Sequence, residues 1–268
     1  MDVLAKAQAL MAREMAKAQA KEKQNKDEPS RDLTDNTVTK SKALTRAYYR
    51  FGLVEKRVME AVVSKINPVS ADKPQPIKLT AVEYAKAFGV DEKSAYRHLE
   101  KAGKAIMRRV IQVQESEKIL SEIVLATKAT YNKGDGSVTI TLYEEIVPHL
   151  VGLRNKLHTK YSLADGVDFN SSYTWRLYEI LLSHQMPKKF TGGLIMGEWT
   201  YAVEELRKLL GVPKSYQWTH INDMLKKSIK EIKQGASINI EIERIKTSRK
   251  ITHLKFKFAE EEQQKLEL

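Results

Sequence analysis

Cysteine is absent from all 268 residues, which excludes disulfides, thiolate zinc sites and cysteine nucleophiles. The six histidines, His98, His149, His158, His184, His220 and His253, form no i, i+4 or His-x-His pair that would set two imidazoles on one metal. No GxxxxGK(S/T) loop is present to cradle nucleotide phosphates, so the chain is not expected to be its own ATP-driven motor. Long apolar runs are missing as well. Nothing approaches the roughly 20 apolar residues of a membrane span, and the opening MDVLAKAQALMAREMAKAQAKEKQ lacks the apolar core of a signal peptide. These absences lead to an expectation of no catalytic residues, no metal, no cofactor, no membrane partner and a cytoplasmic location.

Positive charge is what the chain has in surplus. Its 46 Lys and Arg against 34 Asp and Glu leave a net charge of +12, which favours a polyanionic partner such as nucleic acid. The length suits two compact domains.

Residues 1–44 are rich in Ala, Lys, Gln, Asp and Thr and read as a mobile N-terminal arm. From Thr45 to Ile66, Tyr48, Phe51, Val54, Val58, Ala61, Val62 and Ile66 recur at helical spacing and predict a buried first helix. Thr80, with Glu83 three residues on, caps a second helix that stops at Phe88-Gly89. A third runs from Asp91 to about Arg108, with Ala95, Leu99, Ala102 and Ile106 on one face. Three β-prone runs follow, at 110–113, 119–131 and 137–142, the last two joined by Asn132-Lys133-Gly134-Asp135-Gly136. Helix, helix, turn, helix and hairpin is the order of a winged helix.

The order then repeats. A helix over 171–184, a short strand at 199–201, a helix over 203–210 closed by Gly211, a helix over 216–233 and two strands at 237–245 and 251–258 form a second unit. AVEYAKAFGV beside AVEELRKLLGV points to internal duplication. The expected fold is α+β, with tandem winged-helix domains over 45–154 and 155–259 and an acidic tail over 260–268.

In such units the last helix lies in the major groove, where base edges carry a distinguishable hydrogen-bonding code. With Ile221, Leu225, Ile229 and Ile232 facing the core, the helical repeat turns Thr219, Asn222, Asp223, Lys226, Lys227 and Lys230 outward. Lys214, Ser215, Tyr216, Gln217 and His220 lie at the entry, and Lys246, Arg249 and Lys250 at the wing tip. From 171 to 258 there are 16 Lys and Arg against 8 Asp and Glu, so this domain is the expected main reader. The first domain offers Lys93, Ser94, Arg97, Lys101, Lys104 and Arg108 on its own third helix, for a second DNA contact or simply for solubility. His98 and His220 read as structural or hydrogen-bonding residues. Most of Tyr48, Tyr49, Tyr173 and Tyr178 read as core residues rather than nucleophiles.

The segments SSYTWRLYEILLS, YAVEELRKLLGVPKSYQ, IKEI and SRKITHLKFKF resemble, in order and spacing, the second domain of the theta-type, iteron-binding plasmid replication initiators. ALTRAYYRFGLVEKRVMEAVVSKI and the stretch around VPHLVGLRNKLHTKYSL resemble their first domain, so the likeness spans roughly 43–258. It implies a protein that binds tandem origin repeats as a monomer and distorts the adjacent A·T-rich duplex. It further implies recruitment of the host initiator and replicative helicase, and dimers that bind an inverted repeat and repress their own gene. Two departures stand out. WTHINDML replaces the arginines that members often carry early in the reading helix, which implies a different target sequence. Ser248 stands where glycine commonly precedes the Arg-Lys pair, which implies a differently shaped wing tip.

A winged-helix transcriptional regulator remains the alternative, since the same two domains suffice for it. A rolling-circle nicking enzyme lacks its histidine pair here, and the aromatic sheet motif of common RNA modules is missing. The run over 119–131 either completes its own wing or offers an edge to a second subunit.

Overall fold

The computed structural model describes residues 32–70, 72–154 and 157–261; the expectations for an arm over 1–31 and a tail over 262–268 lie outside these. Strand β1 (Thr37–Ser41) leads into one helical turn at Lys42–Thr45 and then helix α1 (Leu53–Ser64). Two expectations are corrected here. The segment 37–44 belongs to the folded body and not to the arm, with Val38, Thr39, Lys40 and Ser41 all buried. The single helix expected from Thr45 to Ile66 is broken. Tyr48 exchanges backbone hydrogen bonds with Gln112 at 2.8 and 3.0 Å, which satisfies an extended backbone, and Gly52, a poor helix former, sits at the cap where α1 restarts.

Strand β2 (Ile77–Thr80) runs into helix α2 (Ala81–Phe88), and the cap is the one the spacing predicts. Glu83 N–H donates to Thr80 Oγ1 at 3.2 Å, while Thr80 N–H donates to the Glu83 carboxylate at 2.9 Å. Gly89, at φ +63°, closes the helix in the left-handed region that glycine enters without steric cost. Helix α3 (Glu92–Ile106) is capped by Asp91, which accepts from Ser94 N–H at 2.9 Å, and buries Ala95, Leu99, Ala102 and Ile106.

Strands β3 (Val110–Ser116), β4 (Ile119–Val124), β5 (Ala126–Asn132) and β6 (Ser137–Leu142) complete the first domain. The expected 119–131 strand is two strands in different sheets. β4 pairs with β3 as a separate hairpin, while β5 joins β2 and β6 in the order β2-β6-β5. Leu125 and Ala126 are buried side by side, which breaks the two-residue alternation and marks where the chain crosses from one sheet to the next.

Strand β7 (His158–Ser162) pairs antiparallel with β1, Thr37 opposite Ser162 and Ser41 opposite His158. The second domain then repeats the first: helix α4 (Ser172–Leu182), strand β8 (Met196–Ala202), helix α5 (Val203–Leu210), helix α6 (Trp218–Ala236), and strands β9 (Ile238–Thr247) and β10 (Lys250–Glu260). Its sheet order is β8-β10-β9. In both sheets the strand before the second helix pairs with the last strand, and the last with the one before it, as duplication requires. Gly211 ends α5 at φ +66°, and a Cβ there would lie 2.8 Å from the Tyr49 carbonyl oxygen, so glycine is needed for both conformation and space.

Charged residues, not only apolar ones, join the halves. Lys40 of β1, Lys56 and Glu60 of α1, and Arg176 and Glu179 of α4 are all at most 4 % exposed. Lys40 Nζ donates to both oxygens of Glu60 at 2.9 Å and also to Glu179. Lys56 Nζ donates to Glu60 at 2.6 Å and Glu179 at 2.7 Å, and the Tyr161 hydroxyl lies between the same carboxylates at 2.8 and 2.7 Å. Arg176 donates to Glu179 at 3.1 Å and to the carbonyls of Thr45, Ala47 and Leu209. Burial works against the Glu179 charge, yet Lys40, Lys56 and Arg176 hold its pKa below the usual carboxylate range. Among the described residues no helix is long and apolar enough to cross a membrane.

At the rim of this contact, burial and then Arg46 and Lys42 push the His184 pKa down to about 3. Arg46 approaches His184 Nδ1 at 3.1 Å, and an arginine only donates, so the neutral ring carries its proton on Nε2 and directs it at the Tyr201 hydroxyl. The folded state favours the neutral imidazole. Its contribution to stability is therefore complete above the unfolded pKa of about 6.5 and is lost as pH falls toward 3. Thermal midpoints are expected to fall from pH 6.5 to 5, and His184→Gln, which does not titrate, to flatten that limb. Burial and nearby cations also lower the pKa of His98, so some slope remains. A variant as steep as wild type would show that His184 is not the cause.

Candidate nucleic-acid interface

Helix α6 is amphipathic in the predicted sense. Ile221, Leu225 and Ile232 are buried, Ile229 is half-buried, and Ser228 faces inward against Thr174 with 3.1 Å between hydroxyl oxygens. Thr219, His220, Asp223, Lys226, Lys227 and Lys230 are exposed and Asn222 is half-exposed. The entry turn is fixed by Arg207 of α5, whose guanidinium donates to the carbonyls of Pro213, Lys214 and Tyr216 at 3.1, 3.1 and 2.9 Å. That leaves Lys214, Ser215 and Gln217 exposed and Tyr216 half-buried. His220 accepts from Gln217 N–H at 3.2 Å, so its ring caps the first turn of its own helix, a hydrogen-bonding role of the kind expected for it.

The wing is the hairpin β9–β10, with Lys250 paired to Thr247 and a bulge between Ile251 and His253. Lys246, Arg249 and Lys250 are exposed at its end. Ser248 stands there at φ +58°, the left-handed region where a side chain costs about 1 to 2 kcal/mol relative to glycine. The sequence position that departs from the glycine pattern is thus the one that bears the strain.

Arg244 was not among the residues singled out from the sequence. Its Nη2 donates to Asn222 Oδ1 at 2.7 Å, tying β9 to α6. A signal existed in the alternation: Ile238, Ile240 and Ile242 face the helix, and residue 244 continues that row.

In the first domain Lys93, Arg97, Lys101 and Lys104 are exposed on α3 and Arg108 just beyond its end, while Ser94 is half-buried. Ser94 Oγ accepts from Arg97 Nη2 at 2.9 Å, and Lys104 pairs with Glu100 at 2.6 Å. This face is therefore partly neutralised, whereas on α6 Lys233 pairs with Glu261 but Lys226, Lys227 and Lys230 have no paired carboxylate among the described residues. The Tyr84 ring meets His98 edge-on at 5.9 Å, and His98 serves packing. Tyr178 is buried, and Tyr48, Tyr49 and Tyr173 are half-buried against the core.

Sheet order, helix order and the inserted β3–β4 hairpin define a tandem winged-helix protein. Residues 37–182 match the family described as Initiator Replication protein, WH1, and residues 202–258 match Initiator Rep protein, WH2. The chain belongs to this initiator replication protein family. The first match runs through α4, the helix whose Arg176 and Glu179 enter the shared network. A curated relative, the Replication initiation protein of Escherichia coli, is 24 % identical over 161 residues, covering 59 % of this chain and 50 % of that protein; the chain spans about half its length. The crystal structure of Pi initiator protein in complex with iteron DNA superposes with a TM-score of 0.71 at 21 % identity, over 86 % of this chain and 99 % of that one. At this identity the likeness carries the fold.

Proposed function

We propose that this protein initiates replication of its replicon by binding tandem origin repeats through both winged helices, with the second domain as main reader. The observation that carries the reading is the surface of the second domain, where the exposed lysines of α6 and the basic wing belong to elements tied together by the hydrogen bond from Arg244 to Asn222. Lysines on phosphates and polar side chains toward base edges are what such a surface supplies. Membership of the initiator family and the iteron complex of the Pi initiator support the direct-repeat target. Opening of A·T-rich DNA, recruitment of the host initiator and helicase, and self-repression as a dimer belong to the same proposal, as does a cytoplasmic location.

Self-association has a structural candidate in the β3–β4 hairpin, where β3 is bridged to Tyr48 through Gln112 and β4 pairs with no further strand among the described residues. It exposes Val110, Ile119, Leu120 and Val124, and such an edge is open to strand addition. A monomer using both domains is expected to protect a direct repeat over about two helical turns, and a dimer an inverted repeat with two-fold symmetry. Footprinting with sedimentation over a concentration series separates them. One species binding both sites with the same stoichiometry would remove the dimer from the proposal. A minimal replicon that survives deletion of the gene would leave a transcriptional regulator instead.

A further inference from the structure

We infer that Arg244 reads a guanine edge in the bound DNA, and that Asn222 is its positioning residue and not a base reader in its own right. The inference rests on the proposed DNA-binding reading of the second domain and names the group that carries its specificity.

The α6-facing row of β9 changes character along its length. Ile238 and Ile240 are buried and Ile242 half-buried against the helix, then Arg244 and Lys246 follow on the same side, exposed. The cleft between reading helix and wing thus becomes cationic where the strand leaves the body. Asn222 is near the start of α6, which spans Trp218–Ala236, in the N-terminal part from which reading helices contact bases.

The chemistry of the pair follows from donor and acceptor roles. A guanidinium has five donors and no acceptor, so the Asn222 carboxamide must turn its oxygen to Arg244. A bidentate contact to adenine needs both ends of a carboxamide, the oxygen for N6 and the nitrogen for N7. Arg244 occupies one of the two lone pairs of that oxygen and fixes the plane of the carboxamide, so an adenine contact would have to share the oxygen with the guanidinium. Arg244 keeps most of its donors and all of its charge, because the partner is a neutral amide. Several exposed cations are instead neutralised by carboxylates: Arg109 pairs with Glu55 at 2.8 Å, Lys78 with Asp135 at 2.6 Å and Lys104 with Glu100 at 2.6 Å. Glu241 and Glu243 fall on the opposite side of the strand by alternation. An ordered planar fork with free donors matches O6 and N7 of guanine, and holding it in advance lowers the ordering cost on binding.

The test is binding-site selection and affinity measurement with full-length wild type, Arg244→Ala, Arg244→Lys, Asn222→Ala and the double alanine variant. Arg244→Ala is expected to lower affinity for the selected site by roughly 10- to 100-fold and to erase a guanine preference at one position, with random-sequence binding nearly unchanged. Arg244→Lys retains charge without the fork and is expected to lose the same preference. Asn222→Ala should weaken selection at that same position, and the double variant should be no worse than Arg244→Ala. Equal losses on specific and random DNA with a shallower salt dependence would make Arg244 a phosphate contact and overturn the inference. So would an Asn222→Ala effect at a separate adenine position, additive with Arg244→Ala. A wild-type chain that selects no motif overturns the DNA-binding reading itself, whereas a motif unchanged in Arg244→Ala overturns the inference alone.

Discussion

Replacing Glu179 with Ala is expected to remove about 3 to 5 kcal/mol of stability, the range for breaking a buried ion pair from one side. Lys40 and Lys56 would then share Glu60, and Arg176 would lose the carboxylate it pairs with, all three cations being at most 4 % exposed. The stability of a whole domain is only about 5 to 15 kcal/mol. Glu179→Ala is therefore expected to be among the most damaging single changes, although Glu179 bonds only to buried residues of the network and to none of those proposed to face DNA. Because the pairs cross from β1 and α1 to α4, the loss should uncouple the halves as well as destabilise them. Trp175, Trp199 and Trp218 all lie in the second half, so their fluorescence reports that half while far-ultraviolet circular dichroism reports both. Urea transitions by the two probes should coincide in wild type and separate in the variant. A destabilisation below about 1 kcal/mol with coincident transitions would mean the network contributes little to the union. The pH dependence has a fixed sign: a carboxyl held below its usual range supports the fold above the unfolded pKa of about 4.3 and ceases to as pH falls further.

The second large effect is expected at the wing. Arg249 and Lys250 are exposed at the end of β9–β10 with no carboxylate paired to them among the described residues. Their double alanine variant is expected to weaken binding to specific and random DNA alike. The slope of log affinity against log salt should become shallower by about 0.9 for each phosphate that the wing no longer neutralises, up to about two units here. That pattern is the opposite of the one expected for Arg244→Ala, so the two experiments together divide the surface into groups that grip and groups that read. Wild-type and variant slopes that coincide would place the tip away from DNA.

Legibility in the sequence followed the range of the interaction. The Thr80 and Glu83 cap, the closures at Gly89 and Gly211, the apolar row Ile221, Leu225, Ile229 and Ile232, and the repeat of one element order in both halves were all readable. Each rests on interactions within a few residues, where helix and turn chemistry leaves a fixed spacing. The exposed face of α6 was readable for the same reason, since once the inner face is known the outer one follows.

Long-range partners left no such trace. Lys40 and Glu179 are 139 positions apart, and a lysine among Asp, Asn and Thr residues reads as part of a polar arm until β7 arrives to pair with β1. The break before α1 depends likewise on Gln112, whose backbone bonds to Tyr48 outcompete a helical register that the apolar spacing favoured. Asn222 projects outward as its helical position dictates, but its amide oxygen takes a hydrogen bond from Arg244, 22 positions later. The sequence by itself determined the winged-helix elements, their duplication and the basic exposed face of the second domain, because those are written in local periodicity and charge. The tertiary structure decided how the two halves are joined and which polar groups stay free, because hydrogen bonds and buried ion pairs between distant segments depend on where the chain brings them together.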